Sequence, residues 1–250
     1  MSKKKKRTDT IWKSREVISR FLSDTQAAVP LASEQLDVML QILTADNNEV
    51  RYFLDLGCGD GIMSRVILER FPNSRGICLD FSRLMVQKAK ENLEPFSDRL
   101  HILQSDYSTK KYLSDIKNSE PFDAVVSRFS IHHQPDIRKK TLYKEIYELL
   151  ENKGFFINIE HVKSSTPWVD SIWNNVFIDC LTGVESKKKK GKTREQVEYE
   201  FFNDPMWVKE RKANLTSLVE DQCDWLRDIG YKNVDCFFKF LEIAVFGGQK

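Results

Sequence analysis

The sequence predicts an α/β fold: a mostly parallel sheet with helices on both faces. Three observations predict it. From Tyr52 onward, short apolar runs alternate with longer amphipathic ones. The runs are continuously apolar, as in strands buried on both sides. The chain has 250 residues, 41% hydrophobic and 30% charged, enough for one full core in an ordinary globular protein.

The elements follow in order. Ile11, Val17, Ile18, Phe21 and Leu22 recur near helical spacing. Pro30 separates them from a second helical stretch opened by Ser33 and carrying Leu36, Met39, Leu40 and Leu43. The run 52–56 predicts the first strand, and 62–71 the helix after it. Strands at 76–79, 100–103 and 122–127 follow, with a helix over 83–93. A long helix over 136–150 leads through Gly154 to a fifth strand at 155–160. The segment 164–216 breaks the alternation and gathers Trp168, Trp173, Phe177, Tyr199, Phe201, Phe202 and Trp207. It is too long for a connection and predicts a helical insertion, either a lid over a site or a homodimer contact. A helix over 220–229 stops at Gly230, and strands at 234–238 and 242–246 close the chain. The expected organisation is a single domain over 1–250. It has an N-terminal helical cap (1–50), a ligand-binding core (51–162), the insertion (163–216), and a last helix with closing strands (217–250).

Composition removes several classes. No apolar run reaches the roughly 18–20 residues of a membrane span. The basic start, Lys3 to Arg7, runs into Thr8-Asp9-Thr10 and not into an apolar signal segment, so a cytoplasmic location is expected. Five cysteines (Cys58, Cys78, Cys180, Cys223, Cys236) form no C-x-x-C pair, and neither a disulfide framework nor a metal is expected. The lysine runs Lys3–Lys6 and Lys187–Lys190 read as solvated charge; a nucleic-acid surface would spread basic residues over a face among aromatics.

The chemistry concentrates at strand ends. Leu54-Asp55-Leu56-Gly57-Cys58-Gly59-Asp60-Gly61 places a glycine turn between the first strand and its helix, where backbone N–H groups meet a ligand. An acid just before the glycines would repel a pyrophosphate but can pair with an ammonium group. Asp80, at the end of the second strand, can accept hydrogen bonds from two ribose hydroxyls. Ser105-Asp106-Tyr107 ends the third strand and Ser127-Arg128-Phe129-Ser130 the fourth, so four polar clusters fall where open α/β sheets bind ligands.

These pieces together (LDLGCGDG, the acid of ICLDFS, QSDYS, FDAVVSRFSIHH, and the helix before NKGFFINIEHV) resemble the class I, Rossmann-like S-adenosylmethionine-dependent methyltransferases, in their small-molecule branch. The resemblance covers about 52–162, and DIGYKNVDCFFKFLEIAVFGG fits the family's closing hairpin. It implies a seven-stranded sheet with an antiparallel last strand, and S-adenosyl-L-methionine as cofactor. It also implies that Asp55, Gly57 and Gly59 hold the methionine part, Asp80 the ribose, and Asp106 with Tyr107 the adenine. Cys58, Phe81 and Ser127 complete the expected cofactor-binding set.

Methyl transfer from a sulfonium is an in-line displacement, and a base is needed only when the acceptor must lose a proton. Three of the four histidines, His132, His133 and His161, lie just past strand ends. The expected catalytic set is His133, His161, Glu160 and Arg128, the last able to grip a carboxylate with its guanidinium. The partner is then a small-molecule acceptor, without membrane or nucleic acid. Three other readings stay open: a relative of the carboxy-S-adenosylmethionine synthases, a transfer-RNA or protein methyltransferase, and a non-catalytic cofactor-binding module.

Overall fold

The computed structural model describes residues 9–45, 48–117 and 119–250. Its centre is a seven-stranded sheet in the order β3-β2-β1-β4-β5-β7-β6. The strands are β1 (Tyr52–Leu56), β2 (Arg75–Asp80), β3 (Leu100–Gln104), β4 (Phe122–Arg128), β5 (Leu150–His161), β6 (Lys232–Phe240) and β7 (Ile243–Gln249). Strands β1 to β5 pair in parallel, and β7 runs antiparallel to both β5 and β6, as expected for the last strand.

The helices are α1 (Arg15–Arg20), α2 (Gln26–Ala28), α3 (Ala32–Leu43), α4 (Ile62–Arg70), α5 (Arg83–Asn92), α6 (Tyr112–Asp115), α7 (Asp136–Leu149), α8 (Pro167–Glu185), α9 (Arg194–Asn203), α10 (Pro205–Ala213) and α11 (Val219–Ile229). A 3-10 turn (Asp9–Lys13) precedes α1, and a π-helical turn (Phe21–Thr25) joins α1 to α2.

Side chains alternate across a strand, so the sheet has two apolar faces. Phe53, Ala124, Val126, Ile157, Ile159 and Val245 pack against Met39 and Leu43 of α3 and Met63 and Ile67 of α4. Leu54, Leu56, Val125, Phe156 and Phe246 pack on the other face against Leu142, Tyr143 and Ile146 of α7 and Cys223 and Leu226 of α11.

Two compact units emerge: Ala32–Ser164 with Thr216–Lys250, and Met1–Leu31 with Ser165–Leu215. The first holds the whole sheet. The second, through its described residues, holds α1, α2 and the insertion, which is helical throughout α8 to α10. Each insertion helix has a side-chain N-cap: Thr166 accepts from Val169 N–H, Thr193 closes a capping box with Gln196, and Asp204 accepts from Met206 and Trp207. Inside this unit Trp173 stacks on Phe177 at 5.4 Å, and Phe201 meets Trp207 at 5.6 Å. Arg20 lies over Trp207 and pairs with Asp204 and Glu210. Of the second lysine run, Lys188 pairs with Asp24 and Glu185. The run Lys3–Lys6 lies outside the described residues.

Among the strands that outrun their apolar runs, β5 and β7 do so through polar or glycine residues. β5 starts at Leu150, through the polar Glu151-Asn152-Lys153, because Lys153 takes a left-handed φ of 67° at a register shift and the segment still pairs with Phe122. β7 continues through Gly247 and Gly248 because the ladder to Ile157 and Phe156 fixes them there without any side-chain signal.

Candidate active site

The strand order reverses at β1, whose neighbours β2 and β4 carry the chain to opposite sides; ligands of open α/β sheets bind at the carboxyl edge of such a switch point. Asp55, the fourth residue of β1, is wholly buried. Its Oδ2 accepts hydrogen bonds from Ser64 N (3.2 Å) and Ser64 Oγ (2.7 Å) in the first turn of α4. Its Oδ1 is enclosed and has no partner among the described residues. Burial pushes this carboxyl up to about 7, against the Ser64 hydrogen bonds.

The glycine turn follows. Gly57 (φ +76°) donates to Leu79 O, and a Cβ there would overlap Ser130 Oγ. Gly59 (φ +55°) faces open space, with no atom within 4 Å of where a Cβ would stand. Its N–H donates to Asp80 Oδ2 (3.1 Å), while Asp80 Oδ1 accepts from Ser82 N (2.7 Å). Burial raises Asp80 to about 6. Acid, bare backbone and second acid thus adjoin along the ends of β1 and β2.

The remaining residues of the expected cofactor set take varied places. Cys58 turns its side chain into the cluster of Cys78, Ala89 and Leu93, so it offers only backbone to the turn. Phe81 follows Asp80, and its carbonyl accepts from Gln104. Asp106 Oδ1 accepts from Ser108 N (2.9 Å). Tyr107 is buried; its hydroxyl meets Ser130 Oγ at 2.5 Å, and its carbonyl accepts from Arg138 Nε, whose guanidinium forks onto Glu145. Tyr107 therefore forms a wall beneath Gly57. Ser127 donates to Leu56 O (2.7 Å) and ties β4 to β1.

Of the four expected catalytic residues, Arg128 and Glu160 lie on opposite sheet faces, His161 ends β5, and His133 sits in the 3-10 turn Ile131–His133 after β4. In β4, Arg128 shares the face of Ala124 and Val126, and it stands opposite Ile159 of β5. Glu160 shares the opposite face with Phe156. Glu160 is fully buried and gathers its neighbours tightly. Its Oε1 meets His132 Nδ1 at 2.5 Å and accepts from His161 N at 2.9 Å; its Oε2 accepts from His132 N at 2.9 Å. Burial raises its pKa, opposed by the His161 N–H and by the charges of His133, Lys139 and His161.

The histidine whose ring Glu160 holds is thus His132, with the His133 ring tilted against it at a centroid distance of 3.9 Å. His161 turns its ring to a second carboxylate: Nε2 meets Glu242 Oε2 at 2.7 Å, and Glu242 Oε1 accepts from Ser164 Oγ. Sequence reasoning left out Glu242. Its position at the β6–β7 hairpin carries no pattern, and only the β5–β7 ladder brings it to His161. Among the described residues, no three His, Cys, Asp or Glu side chains are grouped to hold a metal ion.

Residues 53–154 match the family described as "Methyltransferase domain". The chain is 23% identical over 92% of its length to a carboxy-S-adenosyl-L-methionine synthase of Nautilia profundicola, covering 91% of that protein. It is 28% identical over 59% of its length to a malonyl-[acyl-carrier protein] O-methyltransferase of Ilyobacter polytropus, and spans 56% of it. Among solved structures, human N-acetylserotonin methyltransferase in complex with S-adenosylmethionine shares the fold, with a TM-score of 0.61 at 12% identity, over 100% of this chain and 60% of that one. With this match running from β1 into the first residues of β5, residues 53–154 form a methyltransferase domain built on the parallel half of the sheet.

Proposed function

We propose that this protein transfers a methyl group from S-adenosylmethionine to a small-molecule acceptor in the cytoplasm. The residues at the switch point suit that cofactor. The partnerless Oδ1 of Asp55 can take an ammonium group, and the open space over Gly59 admits a ligand against the backbone. In this reading Asp55, Gly57, Gly59 and the Cys58 backbone hold the methionine end and Asp80 the ribose hydroxyls. Phe81 and Asp106 flank the adenine, Tyr107 walls the space beneath Gly57, and Ser127 fixes β4 against β1. When bound, the cofactor supplies an electrophilic methyl on a sulfonium.

The chain's own contribution is to orient, exclude water and move a proton. The observation that carries this reading is the buried His132–Glu160 pair at the same carboxyl edge. His132 takes the proton of an acceptor O–H or N–H. Glu160 fixes the ring through Nδ1 and stabilises the imidazolium that forms. His133 and His161 lie close around Glu160 and lower its pKa against the effect of burial.

The test is the mass of the small molecule that copurifies with the protein, followed by a screen of hydroxylated and amino acceptors with labelled cofactor. S-adenosylmethionine or S-adenosylhomocysteine with turnover of a small acceptor is the expected result. A protein that binds neither overturns the reading. A second reading, synthesis of a carboxylated cofactor, is favoured by Arg128, a partly buried cation whose Nε has no partner among the described residues, and by the near-full-length relative from Nautilia profundicola. A bound cofactor heavier by one carboxyl group is its signature.

A further inference from the structure

Arg128 closes β4, and the register that sets Asp55 beside Val126 carries it onto Asp55's sheet face, two residues further toward the carboxyl edge. It is partly buried, and its Nε is fully enclosed. Among the described residues, Nε has no hydrogen-bond partner and no carboxylate comes within 4.0 Å of the guanidinium. Asp60 and Asp55 act on it only through their fields. Its one neighbour of note is the ring of Phe129, 4.8 Å from the guanidinium carbon. Phe129 itself is held at φ +48° by a hydrogen bond from its N–H to Ile159 O. A bulky residue in that region is strained, and such strain gathers where a ligand is received. A guanidinium whose Nε is buried without an acceptor is costly, and it is the group best shaped to take a carboxylate on two parallel N–H bonds.

We infer that Arg128 is a carboxylate-binding residue, resting on the reading above that the carboxyl edge of β1 and β4 is the ligand site. The carboxylate has two chemical sources. One is the amino-acid end of the cofactor, whose ammonium would lie toward the partnerless Oδ1 of Asp55, so that Asp55 and Arg128, opposite in charge and not in contact, match a zwitterion. The other is an acidic acceptor. Either way, Arg128 sets specificity for an anionic group and is no part of the proton-moving machinery around Glu160.

The experiment is calorimetric titration of wild type, Arg128→Gln and Arg128→Lys with three probes. These are S-adenosylhomocysteine, 5′-methylthioadenosine (the same thioether without the amino-acid end), and benzoate added to protein saturated with S-adenosylhomocysteine. If the cofactor supplies the carboxylate, Arg128→Gln weakens S-adenosylhomocysteine roughly 10- to 100-fold and leaves methylthioadenosine unchanged. If the acceptor supplies it, Arg128→Gln leaves both nucleosides unchanged and abolishes benzoate binding. In both cases Arg128→Lys retains part of the affinity, which a folding defect would not give. Arg128→Gln binding all three probes as wild type does, or losing both nucleosides equally, overturns the inference. Wild type that binds neither nucleoside overturns the site itself.

Discussion

Asp55 and Asp80 are the residues whose chemistry the fold alters most. Burial holds their carboxyls at about 7 and about 6 in the ligand-free protein, above the usual carboxylate range. Near neutral pH, Asp55 is therefore partly protonated, and a ligand ammonium beside it expels that proton. Calorimetry of S-adenosylhomocysteine in buffers of different ionisation enthalpy should show proton release near pH 7 in wild type and none in Asp55→Asn; equal enthalpies in all buffers would refute the role. The same shifts act on folding. Between the unfolded pKa near 4 and these raised values the folded chain binds more protons, so their stabilising contribution is full at low pH and fades as pH rises through about 6 and 7. Glu160 is a positioning residue in the proposed chemistry. Glu160→Gln should lower kcat on an O–H or N–H acceptor by about 10²- to 10⁴-fold and shift the pH profile, with S-adenosylhomocysteine affinity within about 2-fold. An unchanged pH profile would reduce Glu160 to a structural part. The strand-end placement of Asp55, Gly57, Gly59 and Asp80 was legible because they interrupt or follow apolar runs. The His132–Glu160 and His161–Glu242 pairs were not, since their partners stand 28 and 81 positions apart and meet only through the sheet.

At the scale of elements, the β1–α4 turn is the most constrained piece. Gly57 and Gly59 both need positive φ, yet their surroundings differ. A Cβ at Gly57 runs into Ser130, whose hydroxyl is engaged by Tyr107; a Cβ at Gly59 meets nothing. Gly57→Ala should therefore cost about 2–4 kcal/mol of stability through strain and overlap. Gly59→Ala should cost only about 1 kcal/mol but weaken S-adenosylhomocysteine, because its methyl enters the ligand's space. Urea melts beside titrations separate the two, and a Gly59→Ala that binds normally would show that the ligand does not lie against this turn. Element types were legible throughout the sheet because apolar runs and amphipathic helices differ in period. The missed lengths of β5 and β7 arise where backbone pairing holds polar or glycine residues that no pattern marks. Lys139 shows the same limit on a helix. Its type suggests solvent, but its ammonium is buried between Asp136 and Ser217, and Ser217 lies 78 positions away at the approach to α11.

Over the whole molecule, the site residues from Asp55 to Glu242 belong to one unit that the chain leaves after Ser164 and re-enters at Thr216. The two passages are joined by Val162 N–H to Glu242 O, Lys163 N–H to Ser217 O and the β5–β7 ladder, so β5 cannot loosen without disturbing the hairpin that carries Glu242. A ligand bridging the ends of β1, β2 and β4 should stabilise this unit as a body, by mass action on its folded state. S-adenosylhomocysteine at about 100 times its Kd should add about 2.7 kcal/mol. For a chain of this size that raises Tm by roughly 5–10 °C, rising further with ligand concentration. Asp80→Ala removes the proposed acceptor of the ribose hydroxyls and also the acceptor of the Gly59 and Ser82 N–H groups, so its ligand-free melt should fall by several degrees while the ligand-induced shift disappears. A full shift in Asp80→Ala would move the ribose away from β2. No shift in wild type would mean that the carboxyl edge of this sheet does not bind the family's cofactor.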